Sequence, residues 1–217
     1  MKNFILCTIL IFCLLFSVKA QTIKHTELLG RPTDNSICVK MFFADTVDVY
    51  AEYGTSTGVY TSQTSTQTFV ADSPVVIIIS SLQADTKYFY RINYRKNGAA
   101  NFIARPEFSF HTQRSTGSTF TFVVQADPHI DANSDTALYR LCLQNQLDDA
   151  PDFMIDLGDF LMTDKLKDPT INQIPHDTIT YRCNLLRSFY ETSVHSVPLF
   201  ISLGNHEGEM DYYLLKN

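Results

Sequence analysis

The sequence predicts two folded units in one chain, an all-β sandwich followed by an α/β unit built on a largely parallel sheet. Three observations carry this. Residues 21–113 form a series of short alternating segments, rich in β-branched and aromatic residues and separated by turn residues. The stretch "QRSTGS", Gln113 to Ser118, is small, polar and glycine-containing, as a linker between folded units is. After it the rhythm changes to strand, helix, strand, helix, strand, the order of a parallel sheet covered by helices. With 217 residues and 45% apolar content the chain can bury one or two cores.

The amino terminus comes first. Lys2 supplies a positive start, "FILCTILIFCLLFSV" an apolar stretch, and Val18-Lys19-Ala20 a small-residue cleavage site before Gln21, which together predict a secretory signal over residues 1–20. The apolar run falls short of the ~20 residues of a membrane span, and no later segment could cross a bilayer. The mature chain is therefore expected to be secreted. Cys7 and Cys13 leave with the signal; Cys38, Cys142 and Cys183 remain, read as small buried hydrophobes with at most one bridge and no assigned pairing. They show no zinc-ribbon spacing. The net charge is −6, and no Lys/Arg stripe provides the surface that nucleic acids require.

In the first unit, "SICVKMFF", "VDVYAEYG", "PVVIIISSL", "KYFYRINYRKNG" and "PEFSFHT" read as strands, with "GTSTGVYTSQTSTQ" as a polar connection. An aromatic face for carbohydrate is disfavoured, because alternate residues of a strand point to opposite sides and half of the tyrosines must enter the core. In the second unit, "TFTFVVQADPH", "DFMIDLGD" and "PLFISLGNHE" are strands, and "SDTALYRLCLQNQLDD" and "HDTITYRCNLLRSFYETSV" carry helical spacing.

Each strand of the second unit ends in possible metal ligands: Asp127-Pro128-His129, then Gly158-Asp159, then Gly204-Asn205-His206-Glu207. Parallel neighbours lie about 4.8 Å apart, so their tips converge on one or two cations, and ligand sites in such sheets form at the carboxyl ends of the strands. The glycines allow the sharp turns that this needs. Any one cluster is ordinarily a turn or a cap; their ordered recurrence after three strands is the informative feature. Asp131, Asp135, Asp156 and Asp164 are weaker candidates, Asp156 as a brace of the turn at Gly158. His25, His111, His176 and His195 lie outside the clusters, and His176 and His195 read as surface or helix-end residues. No Ser or Cys nucleophile motif and no P-loop is present.

D-x-H, G-D and G-N-H-E in this order resemble the first three motif blocks of the calcineurin-like metallophosphoesterases. "LQADTKYFYRI" resembles the L-x-x-x-T-x-Y-x-Y pattern of fibronectin type III domains, which makes Tyr88 and Tyr90 core or corner residues. A fibronectin-like domain over residues 21–113 followed by the amino-terminal half of an αββα phosphoesterase domain over 119–217 resembles the purple acid phosphatases. The resemblance implies that Asp127 and His129 bind a first metal, Asp159 bridges both, Asn205 binds the second, and His206 faces the phosphate, with Glu207 orienting its ring. It implies two ions of the Fe, Mn or Zn type, a metal-bound hydroxide as nucleophile, and a phosphate ester as substrate.

The sequence departs from the purple acid phosphatases at two points. It has Asp127-Pro128-His129 for their D-x-G, the form usual in the wider superfamily, and Met162 where their G-D-x-x-Y has tyrosine, so the metal-bound tyrosinate does not carry over. The histidines of the later motif blocks are not among the residues to Asn217, so the chain reads as an amino-terminal portion that is inactive by itself. The competing expectation is a secreted, non-catalytic adhesion protein with a degenerate phosphoesterase domain.

Overall fold

The computed structural model describes residues 22–131, 133–162, 166, 168–170 and 174–207. The expected signal segment, Asp164 and residues 208–217 lie outside the described residues. No helix among those described is long and apolar enough to cross a membrane.

Two antiparallel sheets build the first unit. One has the order β1 (Ile23–Gly30), β2 (Ser36–Phe43), β6 (Pro74–Ser80). The other is centred on β3 (Val47–Gly54) and β7 (Lys87–Lys96), which pair from Val47↔Lys96 to Gly54↔Phe89. Alternate residues of the strands point inwards: Val39, Val47, Val49, Ala51, Ile77, Ile79, Tyr90 and Ile92 are fully or almost fully buried between the sheets. The phenolic oxygen of Tyr88 accepts the Gln83 backbone N–H at 3.0 Å, tying the strand to the preceding turn as a tyrosine corner does.

The polar stretch 54–67 is not a bare connection. β4 (Ser62–Gln63) and β5 (Gln67–Phe69) pair with β3, Thr64 N–H donates to Ala51 O at 2.8 Å, and the Thr64 hydroxyl accepts from Ala51 N. The open edge of β3 supplied the hydrogen-bond partners that local composition does not reveal. Two short strands complete this sheet along β7, β8 (Ile103–Ala104) and β9 (Phe108–His111).

In the second unit three strands pair in parallel, in the order β10 (Phe122–Gln125), β11 (Phe153–Asp156), β12 (Leu199–Ile201). The crossovers carry α1 (Thr136–Asp148) and α2 (His176–Tyr190). Asp135 caps α1 by accepting from Ala137 N and Leu138 N, and α2 carries Asp177 in its first turn and Arg187 in its last, both favourable to the helix dipole. Met154, Leu199, Leu143, Leu186 and Phe189 make the core under the helices. Phe122, Val124 and Phe200 of the same strands are exposed.

The units share a seam rather than meeting only at Gln113–Ser118. Leu28 of β1 packs against the second core, Leu29 N–H donates to Val194 O at 2.9 Å, and the Tyr90 hydroxyl donates to His195 O at 2.8 Å. His195 is thus not the surface residue expected from its place beyond the helix: its ring stacks on Phe108 at 4.0 Å, and burial pushes its pKa down. Nearby, the fully buried carboxylate of Glu27 is gripped by both ends of the Arg105 fork, at 3.0 and 2.9 Å. Cys38, Cys142 and Cys183 are all free thiols; Cys38 is buried as expected, whereas Cys142 and Cys183, on the helices, are exposed.

Candidate metal centre

The three clusters meet at the carboxyl edge of the parallel sheet. Register explains how: Gln125 lies beside Asp156 and Asp156 beside Ile201, so the segments beyond these residues emerge side by side. Backbone bonds then fasten the loops to one another. Asp127 N–H donates to Gly158 O and His129 N–H to Asp159 O, each at 3.1 Å.

The backbone is strained at three residues of this edge. Asp127, His129 and Asp159 have φ of 55°, 44° and 58°, a region that costs a non-glycine residue about 1 kcal/mol or more. Gly158, at φ 96°, makes the turn that precedes Asp159. A Cβ on Gly158 would lie 2.1 Å from Gly204 N, and one on Gly204 would lie 2.1 Å from Asp159 Oδ1, so the two loops interlock where neither has a side chain.

His129, Asp159 and His206 each present a ligand atom, and these lie within 4.8 Å of one another. Asp127 Oδ1 is 3.5 Å from His129 Nε2, and Asp159 Oδ2 is 4.0 Å from the same nitrogen. The other oxygen of Asp159, Oδ1, accepts the His206 backbone N–H at 2.8 Å, which turns Oδ2 towards His129. The rings of His129 and His206 stand edge to face with centroids 5.1 Å apart. Asp159 is buried, whereas Asp127 and His129 are open to solvent at 62% and 44%, as a site that admits a ligand from one side requires. Asn205 opens a helical turn between Gly204 and His206.

One acid does more than its place in the sequence indicated. The Glu207 carboxylate, expected to orient the His206 ring, accepts four backbone N–H groups, from Asp159, Phe160, Leu161 and Gly204, at 2.7 to 2.9 Å. No local pattern distinguishes such a residue from an exposed helix-start acid. Met162, at the tyrosine position of the purple acid phosphatases, is buried.

Asp156 is the brace of the turn rather than a ligand, and it is fully buried. Its Oδ1 accepts Gly158 N–H at 2.8 Å, while Oδ2 accepts Gln125 Nε2 and the Tyr190 hydroxyl. Gln125 Nε2 also donates to the Tyr139 hydroxyl at 2.9 Å. Burial, and then the neighbouring Tyr139 and Asp156, push the Tyr190 phenol far up, so it stays a proton donor to the carboxylate. Asp135 is spent on the α1 cap, and Asp131 accepts Asn133 N–H within its own loop.

No family model and no curated protein matches the sequence. Solved structures do. A structure of PhoD aligns with 88% of this chain and 40% of its own, at a TM-score of 0.61 and 15% identity. The purple acid phosphatase PPD1 from yellow lupin (Lupinus luteus) seeds aligns with 84% of this chain and 36% of its own, at a TM-score of 0.60 and 13% identity. The likeness is one of fold, it runs through most of the chain, and the chain spans about two-fifths of the length of either protein.

Proposed function

We propose that the chain carries the metal centre of a phosphoesterase, a hydrolase of phosphate esters. The observation that carries the reading is the convergence of His129, Asp159 and His206, delivered by three separate strand ends to within 4.8 Å. The likeness in fold to a purple acid phosphatase supports it independently.

The donor set fits hard or borderline cations such as Fe, Mn or Zn, since carboxylate, imidazole and amide oxygen all suit them. Asp127 and His129 would hold one ion, Asp159 would bridge through the buried carboxylate, and Asn205 would hold the second. Bound cations would supply positive charge to the phosphoryl oxygens and make water more acidic. His206, beside the ligands, would hydrogen-bond the phosphoryl group and give a proton to the leaving oxygen. The strained loops keep these groups in place before any ester arrives. Secretion remains part of the proposal, on the strength of residues 1–20.

Metal uptake is the test. The chain is expected to take up Mn²⁺, read by calorimetry and elemental analysis, and Asp159→Asn to lose more of it than Asn205→Ala, because a bridging carboxylate serves two ions and the amide one. A chain that takes up no ion, or an Asp159→Asn variant with full metal content, would overturn the assignment. An adhesion module would show neither binding nor sensitivity.

A further inference from the structure

We propose that Glu207 is a positioning residue of the metal centre, whose carboxylate locks the Asp159 loop to the Asn205-His206 loop through four backbone N–H groups. The inference rests on the metal-centre reading above and adds to it a residue that touches neither ion nor substrate.

The geometry is specific. Oε1 accepts Phe160 N–H and Leu161 N–H, both at 2.8 Å, so one oxygen holds two successive amides of the second loop. Oε2 accepts Asp159 N–H at 2.7 Å and Gly204 N–H at 2.9 Å, so the other oxygen joins the two loops directly. The successive N–H groups of Asp159, Phe160 and Leu161 converge on this one carboxylate, as the amides of an anion-binding nest do. The bond from His206 N–H to Asp159 Oδ1 returns the link in the opposite direction. Each motif therefore holds the other: the acid of the third loop fixes the backbone that carries Asp159, and Asp159 fixes the backbone that carries His206.

Four donors on two oxygens require a carboxylate. An amide at this place would turn its NH₂ group against two of the four N–H groups, leaving buried donors opposed. Glu207→Gln, a mild change on an open helix face, is thus expected to be as damaging as Glu207→Ala. The alanine variant leaves a seat lined by N–H groups that a small free carboxylate fills.

The experiment is a Mn²⁺ titration of the full chain, wild type and variants, below the thermal transition of each, with and without formate. Glu207→Ala and Glu207→Gln are expected to weaken Mn²⁺ binding by about tenfold or more. Formate is expected to restore much of the affinity of the alanine variant and none of the glutamine variant, whose side chain still occupies the seat. A purely structural acid would lower the melting temperature without this pattern. Wild-type affinity in Glu207→Ala, or a loss that formate leaves untouched, overturns the proposal. Should Glu207→Ala fail to fold, Glu207→Asp replaces it: its shorter carboxylate is expected to give an affinity between wild type and Glu207→Gln, and equality with Glu207→Gln overturns the idea. If wild type binds no Mn²⁺, the metal-centre reading itself fails, and this inference with it.

Discussion

Gly204→Ala is the substitution that most directly tests how the site is built, because it adds one methyl group and removes nothing. Gly204 has no positive φ to make alanine strained, so the effect is steric alone. The added Cβ would stand 2.1 Å from Asp159 Oδ1 and 2.6 Å from both Asp159 Cγ and Asp159 N. Two of these atoms belong to the carboxylate itself. Ordinary contact begins at 3.4 Å, so either the carboxylate or the whole third loop has to retreat by about 1.3 Å. Retreat of the carboxylate breaks its bond from His206 N–H; retreat of the loop stretches the Glu207 bonds. Overpacking of this kind costs about 1–3 kcal/mol of stability. A ligand displaced by about 1 Å costs on the order of a hundredfold in a function that depends on its placement. The assay pairs thermal unfolding with Mn²⁺ calorimetry. A Gly204→Ala protein that melts and binds like wild type would refute the interlocked-loop geometry.

Three further outcomes are expected. Arg105→Ala, which strands the fully buried Glu27 carboxylate, is expected to cost about 3–5 kcal/mol in urea unfolding, and a loss below about 1 kcal/mol would show that Glu27 finds water or another partner. Burial depresses the folded-state pKa of His195, so the unfolded chain binds a proton first as pH falls, and stability should decline from about pH 6.5 down to the depressed value and be indifferent to this group above it. His195→Phe keeps a ring on Phe108 and should flatten that part of the profile; an unchanged slope would point to another group. Loading the protein with iron should give no intense tyrosinate band in the visible spectrum, because Met162 stands in the tyrosine position, and a strong band would show that another phenol reaches the ion.

What the sequence by itself determined is what short-range periodicity and turn chemistry encode. The alternation of "SICVKMFF" and "KYFYRINYRK" placed β2 and β7, the helical spacing placed α1 and α2, and the order of Asp127, His129, Asp159, Asn205 and His206 after three strands pointed to the sheet edge at which His129, Asp159 and His206 converge. Parallel pairing leaves only one edge at which those tips can gather. The edge strands β4 and β5 were not legible, since they owe their conformation to the partner β3 and not to their own composition. Tertiary structure alone decided the supports of the site. Glu207 reaches amides 46 to 48 residues earlier, Tyr190 donates to an acid 34 residues away, and His195 shields a seam with a strand from the other unit. An acid that binds four amides and an acid that faces water look alike in a one-dimensional pattern. What separates them is which N–H groups the folded chain leaves unpaired beside them, and that is a property of the whole fold.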